Sequence, residues 1–248
     1  MSADPLREQV HPSHDLRLVR ESAEQLLHTV RLIDADALAG PSLLPGWTRA
    51  NVVGHLIGNA EGLTRLLHWA ASGEPVHQYA DAAARTAPIE AAVGASPAEL
   101  TDRLGRAVDV LLAAARALDP EQWPRRVRLG IAGAGREIAA AEVPWRRLVE
   151  QEVHAVDLAA GYTPAHWSAE LTHRLLAEVA ALYLVRDDVP PLDVRAADGS
   201  WDAASGDPTG ATRVEGPAPA LLSWLIGRSA GAGLHVHPGP LPLLPPWF

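Results

Sequence analysis

The sequence predicts an α+β protein in which an N-terminal four-helix bundle, residues 10–162, precedes a small α+β domain, residues 165–248. Three observations predict it. Alanine and leucine dominate, β-branched residues are sparse, and Phe and Met occur once each, a composition that favours helix. Four long segments carry apolar residues at helical spacing. Beyond residue 165 the texture changes to short runs bounded by Gly, Pro and Asp.

The first helix is marked by Leu16, Val19, Ala23, Leu26, Leu27, Val30, Ile33 and Leu38, and is expected from Asp15 to Leu38, before Gly40-Pro41. PSLLPGW is a loop. Thr48 is the expected N-cap of a second helix through NVVGHLIGNAEGLTRLLHWAAS, which Gly73 ends. Residues 74–95 read as a loop with at most one helical turn. Ser96-Pro97-Ala98-Glu99 is a capping-box start, and a third helix runs to about Leu118. After DPEQWP, residues 125–142 read as a loop or short hairpin because of Gly130, Gly133 and Gly135. Pro144 opens a fourth helix, WRRLVEQEVHAVDLAAG, with Gly161 as its cap.

In the second part a helix is expected over Ala169–Leu184. PPLDVRAADGSWDAA follows as two short strands around Asp198-Gly199, a strong hairpin signal. ATRVEG is a candidate third strand, GPAPALLSWLIGRSA a helix and GLHVHP a last strand. The proline-rich tail PGPLPLLPPW is expected to lie extended.

The balance of 21 Lys+Arg against 30 Asp+Glu gives a net charge of −9. With no basic run, the chain lacks the electrostatic footprint of a nucleic-acid binder or of a membrane-surface protein. No apolar run approaches the roughly 20 residues of a membrane span. The N-terminal segment has no apolar core of a signal peptide, so the cytoplasm is the expected compartment. The oligomeric state is not legible, and a monomer is compatible with the sequence. There is no cysteine, so any thiol chemistry needs sulfur from an added cofactor.

Glu150 and His154 are four residues apart on the fourth helix, one turn apart on one face. A single ion can take a carboxylate oxygen and an imidazole nitrogen from that pair. Glu152 points away from both. His55 stands in the apolar stretch VVGHLIG of the second helix and faces the core or a site within it. Three N/O ligands suit zinc with one open position, although nickel, cobalt or iron fit the same set. The bland alternative is a surface Glu–His pair and a satisfied core histidine. Of the other histidines (His11, His14, His28, His68, His77, His166, His173, His235 and His237), only His235 and His237 have a chelating spacing, along a strand. Trp47 reads as a core anchor at a helix start, and Asp157 as a partner behind His154.

PSLLPGWTRANVVGHLIGNAEGLTRLLHWA, then Arg85 with Ile89-Glu90, then EQEVHAVDLAAGY, closely resembles the mycothiol-dependent maleylpyruvate isomerases, members of the DinB-like metal-binding four-helix bundles. LLSWLIGR and the closing LPPWF also match, so the resemblance spans nearly the whole chain. It implies a zinc ion held by His55, Glu150 and His154, with the thiol of mycothiol bound as thiolate at the open position. It implies conversion of maleylpyruvate from cis to trans, giving fumarylpyruvate, in gentisate-type aromatic degradation. It also implies Arg85 and Arg228 at the active site; Tyr79, in the loop before Arg85, is placed to border the cleft, and Arg228 and Tyr79 are the candidate cofactor contacts. Arg228 comes from the second domain, so the implied cleft lies between the two.

The implied chemistry is coherent. Thiolate addition to the enone-like carbon pushes the double-bond electrons onto the keto oxygen as an enolate and leaves a single bond that can turn. Return of those electrons expels the thiolate. Zinc lowers the thiol's pKa, and guanidinium groups bind the two carboxylates in bidentate fashion. Outside the resemblance, Arg228 reads as a cation at a helix C-terminus and Arg85 as a solvated loop charge. One departure stands out. The family carries a histidine-bearing or basic second helix of the type TRAHV…HLARNA, where this chain has Asn51 and Gly58. That leaves a mycothiol S-transferase or S-conjugate-processing enzyme as the alternative, and a non-catalytic metal or small-acid binding module as a third.

Overall fold

In the computed structural model, which describes residues 12–205 and 210–247, the chain divides into two units, one ending at Gly161 and the other starting at Tyr162. His11 and Phe248 lie outside the described residues. The fold is α+β, as the sequence predicts: a helical unit followed by a small α+β unit.

In the first unit the long helices are α1 (Pro12–Leu32), α3 (Arg49–Ser72), α5 (Pro97–Arg116) and α6 (Val143–Asp157). α3 packs against α5 and α6, and α1 packs against the same two. The bundle therefore runs α1, α5, α3, α6 around its core. Val19, Leu26, Leu56, Leu63, Leu67, Leu104, Leu111 and Leu148 fill it. α3 is buried around most of its circumference, as expected of a helix apolar on nearly every face.

Local capping explains where each helix starts. Asn51 N–H donates to Thr48 Oγ1 at 3.2 Å, while Thr48 N–H donates to Asn51 Oδ1 at 2.9 Å. This reciprocal pair fixes the register of α3 and hence of His55. Gly73 then closes α3 with a left-handed φ of 82°. Ser96 Oγ accepts from the Glu99 N–H at 3.2 Å, a one-way cap where Thr48 and Asn51 make a reciprocal one, with Pro97 at the first position of α5.

Three expectations are corrected. The first predicted helix is two: α1 stops at Leu32, and Asp34 caps a separate α2 (Ala35–Ala39) by accepting from the Ala37 N–H at 2.7 Å. An aspartate side chain that bonds the backbone ahead of it competes with helix continuation. Residues 74–95 hold a real helix, α4 (Ala82–Glu90), capped by Asp81 and containing Pro88. α6 ends at Asp157 instead of running on to Gly161, and Ala159 takes a positive φ of 50°. Between α5 and α6, β1 (Arg126–Leu129) and β2 (Arg136–Ala139) form the hairpin, pairing Arg126 with Ala139 and Leu129 with Arg136.

The second unit contains α7 (Ala169–Tyr183), α8 (Ala218–Leu225) and a four-stranded sheet. Its strands are β3 (Leu192–Ala196), β4 (Asp202–Ala204), β5 (Thr212–Gly216) and β6 (His235–His237), in the spatial order β4-β3-β5-β6. The Asp198-Gly199 turn joins β3 to β4 in antiparallel pairing, with Gly199 at φ 73°. β5 runs parallel to β3, and β6 is antiparallel to β5. Val194 and Val214 are fully buried on one face, where α8 packs on β3 and β5. Asp193, Arg195, Arg213, Glu215, His235 and His237 alternate with the apolar residues and lie on the other face. The tail carries no regular structure and is tied to α7: the Tyr183 hydroxyl donates to the Pro245 carbonyl, and Arg186 Nη1 to that of Pro246 at 2.8 Å.

Among the described residues no helix is long and apolar enough to cross a membrane.

Candidate metal centre

On α6, Arg147, Glu150, Gln151 and His154 share one stripe, at spacings of three and four residues. α3 faces it with His55 and, one turn on, Asn59. The capping box at Thr48 places His55 two turns into α3. His55 Nε2 lies 2.9 Å from Glu150 Oε2, and His154 Nε2 lies 3.4 Å from the same oxygen. One ligand atom from each of the three lies within 4.8 Å of the others, and this is the one such His/Asp/Glu group among the described residues. The two imidazole rings meet edge-on, with centroids 4.6 Å apart.

The surroundings act differently on the three groups. Burial is the largest influence on His55 and outweighs the bond to Glu150, so its pKa is lowered and the imidazole stays neutral. Burial also opposes the charge of Glu150, but the hydrogen bonds and charges of His154 and His55 prevail and hold the carboxyl well below its ordinary range. For His154 burial lowers the pKa, and the bonds to Asp157 and Glu150 more than reverse that. His154 Nδ1 lies 2.8 Å from Asp157 Oδ2, and Asp157 is itself buried. A carboxylate there keeps Nδ1 protonated and leaves Nε2, on the Glu150 side, as the nitrogen that a bound ion would take. The donor set therefore fits a zinc-like ion: two imidazole nitrogens, one ionised carboxylate and a buried carboxylate that sets one tautomer.

Residues 19–159 match the family model described as the mycothiol maleylpyruvate isomerase N-terminal domain. The chain belongs to this family. A crystal structure of a mycothiol-dependent maleylpyruvate isomerase superposes with a TM-score of 0.87 at 27% identity, covering 97% of this chain and 98% of the other. A histidine-to-alanine mutant of a mycothiol-dependent maleylpyruvate isomerase superposes equally well, at 26% identity and the same coverage. No curated protein sequence matches the chain.

The other residues singled out in this family member fall into distinct places. The Tyr79 ring is buried. Burial first, and the charge of Glu150 second, push its hydroxyl up to about 12. Its backbone carbonyl accepts from the Ala132 N–H at 3.0 Å, which ties the β1–β2 turn to this segment. Arg85 is exposed on α4, and its charge reaches both His55 and Tyr79. Arg228 belongs to the second unit. It follows Gly227 just past α8, and its Nη1 donates to the Ile226 carbonyl at 3.1 Å. His235 and His237 are exposed, opposite Glu215 and Arg213 in the sheet register.

The two departures from the family pattern have structural explanations. Asn51 completes the capping box and donates through Nδ2 to the Ile89 carbonyl at 3.3 Å. Gly58 is buried, and a Cβ there would stand 2.8 Å from Pro88 Cγ. At Gly54 a Cβ would stand 2.6 Å from the Pro88 carbonyl oxygen. Both glycines let α4, which carries Arg85, lie directly on α3.

Sequence reasoning misplaced one residue and missed two. Trp47 is half-buried, with its ring edge-on to His55 at 5.8 Å, so it borders the candidate metal group instead of anchoring the core. Arg147 and Gln151 are fully buried on the stripe that carries Glu150 and His154. The signal for both was that stripe, at spacings of three and four.

Proposed function

We propose that this family member is a metal-assisted, mycothiol-dependent cis–trans isomerase of maleylpyruvate or a similar unsaturated keto-diacid, yielding fumarylpyruvate in gentisate-type aromatic degradation in the cytoplasm. The observation that carries it is the convergence of His55, Glu150 and His154 on one point, in a family member with no cysteine of its own. When bound, zinc lowers the pKa of a thiol into the neutral range and mycothiol supplies that thiol, the nucleophile for reversible addition to the activated double bond.

The chain's own residues have definable tasks. His55, Glu150 and His154 hold the ion, and Asp157 orients His154 through Nδ1. Tyr79, with its hydroxyl pushed up to about 12, keeps its proton at neutral pH and serves as a hydrogen-bond donor beside the cofactor. Arg85 binds a substrate carboxylate and stabilises the developing enolate oxygen. Arg228 is assigned the second carboxylate and the cofactor. Trp47 shields the edge of His55 from water.

The test is direct. Zinc-loaded protein with mycothiol and maleylpyruvate should show loss of the substrate's absorbance that depends on the thiol. His55→Ala should lose both zinc and turnover while keeping its helical circular dichroism. Absence of thiol dependence overturns the isomerase reading. A stable thiol adduct by mass spectrometry, with no thiol returned, marks an S-transferase instead.

A further inference from the structure

Arg147 is a fully buried guanidinium. Its Nη1 donates to the Leu56 carbonyl at 2.8 Å and to Asn59 Oδ1 at 2.9 Å, so it crosses from α6 to α3 beside His55. Both acceptors are neutral. Nε and Nη2 are buried and have no hydrogen-bond partner, and among the described residues Arg147 makes no ion pair. Neither amide atom of Gln151, one turn on, has a partner either. A buried charge without a counter-ion is costly, and a well-packed apolar residue serves a core better. The carboxylate whose charge acts on Arg147 is Glu150, the candidate metal ligand one turn along the same helix.

We propose that Arg147 is a positioning residue that gives the metal centre a buried positive charge neutralised by no carboxylate in contact, and that this charge favours an anion, such as a thiolate, as the ion's fourth ligand. The proposal rests on the metal reading of His55, Glu150 and His154. It accounts for an arginine where a structural clamp would need only a hydrogen-bond donor. It also separates Arg147 from Arg85, which is exposed and free to meet substrate from solvent.

The experiment uses the full chain loaded with Co²⁺, titrated with azide at fixed pH and followed by cobalt visible absorption. Arg147→Met should still bind cobalt, with a melting temperature equal to or above that of the unsubstituted protein. Its azide affinity should fall about tenfold or more, the order expected of one unit charge acting through a protein interior. Arg147→Lys should restore most of that affinity. Should Arg147→Met fail to fold, Arg147→Gln keeps a donor for Leu56 and Asn59, lacks the charge, and should show the same loss. Unchanged azide affinity in the neutral variants overturns the proposal and leaves the metal reading intact. So does loss of cobalt from the Met, Gln and Lys variants alike, which would mark a purely structural clamp. Failure of the unsubstituted protein to give a cobalt spectrum removes the metal reading, and the proposal with it.

Discussion

On the sheet of the second unit, Asp193 accepts from Nε of Arg195 at 2.8 Å and from Nε of Arg213 at 2.9 Å, and both arginine side chains remain about half exposed, at 50% and 52%. In the first unit, Arg147 is fully buried, bonds only neutral oxygens and leaves two nitrogens unpartnered. The two regions use the same residue types under opposite conditions. On the sheet Asp193 is covered but meets two opposite charges in contact, and both arginines keep much of their water, so little free energy is at stake. Around His55 and Glu150 the groups are largely withdrawn from water, with Glu150 alone about one-third exposed at 34%, and each charge shifts its neighbours. Incomplete matching in a buried cluster marks chemistry, and complete matching at a surface marks solvation.

The largest expected effect is at the buried end of that comparison. Asp157→Asn keeps the shape and one acceptor oxygen but removes the charge that holds His154 in its tautomer. Metal affinity should fall about 10- to 100-fold, the usual cost of losing a partner behind a histidine ligand. Competition against a chelator of known affinity measures it. A change below about twofold would place Asp157 with the surface pairs, and the contrast between the two regions would lose its basis.

How far the sequence showed these regions in advance follows the range of the forces involved. α3 and α5 were readable because Thr48 with Asn51, and Ser96 with Pro97, are local signals that cap a helix whatever surrounds it. α4 was not readable. Nine residues containing Pro88 make a poor isolated helix, and what holds this one is close approach of its backbone to Gly54 and of the Pro88 ring to Gly58, residues distant in sequence. The break at Asp34 was a capping signal that the apolar spacing on either side concealed. Glu150 and His154 were found because one helix sets their spacing. That His55 meets them is a tertiary fact, carried into the sequence reading by family resemblance. Arg147 escaped notice because in WRRL it stands beside Arg146 and looks like solvated charge.

The placement of α4 offers an intermediate effect. Gly54→Ala gains about 1 kcal/mol of helix propensity in principle. Its Cβ would stand 2.6 Å from the Pro88 carbonyl oxygen, however, and 2.9 Å from the Ile89 Cα. Those are backbone atoms and cannot step aside, so strain decides the sign. A net loss of roughly 1–3 kcal/mol is expected, read by urea denaturation, with turnover reduced further because α4 carries Arg85, the proposed substrate ligand. A stabilised Gly54→Ala would show that α4 has room to move, and would detach Arg85 from the precision of the site.

The smallest effect belongs to the sheet. Hydrogen bonding from Arg195, opposed by partial burial and aided by Arg213, lowers the pKa of Asp193 below its ordinary value of 3.8. The sign follows from linkage. A group whose pKa is depressed on folding adds stability above its unfolded value, and that stability is lost as pH falls through the folded value. The contribution of Asp193 should therefore be fully present at neutral pH and disappear progressively below about pH 4, near the reference value for aspartate. Because both arginines are half solvated, Asp193→Asn should cost no more than about 1 kcal/mol at pH 7. The gap between variant and parent should close in acid. Thermal melts of the two proteins from pH 7 down to pH 3 give the comparison. A loss several times larger, or one that persists unchanged in acid, would mean that the charged face of the sheet is as constrained as the buried cluster. The distinction between matched surface charge and unmatched interior charge would then have to be drawn on some ground other than solvent.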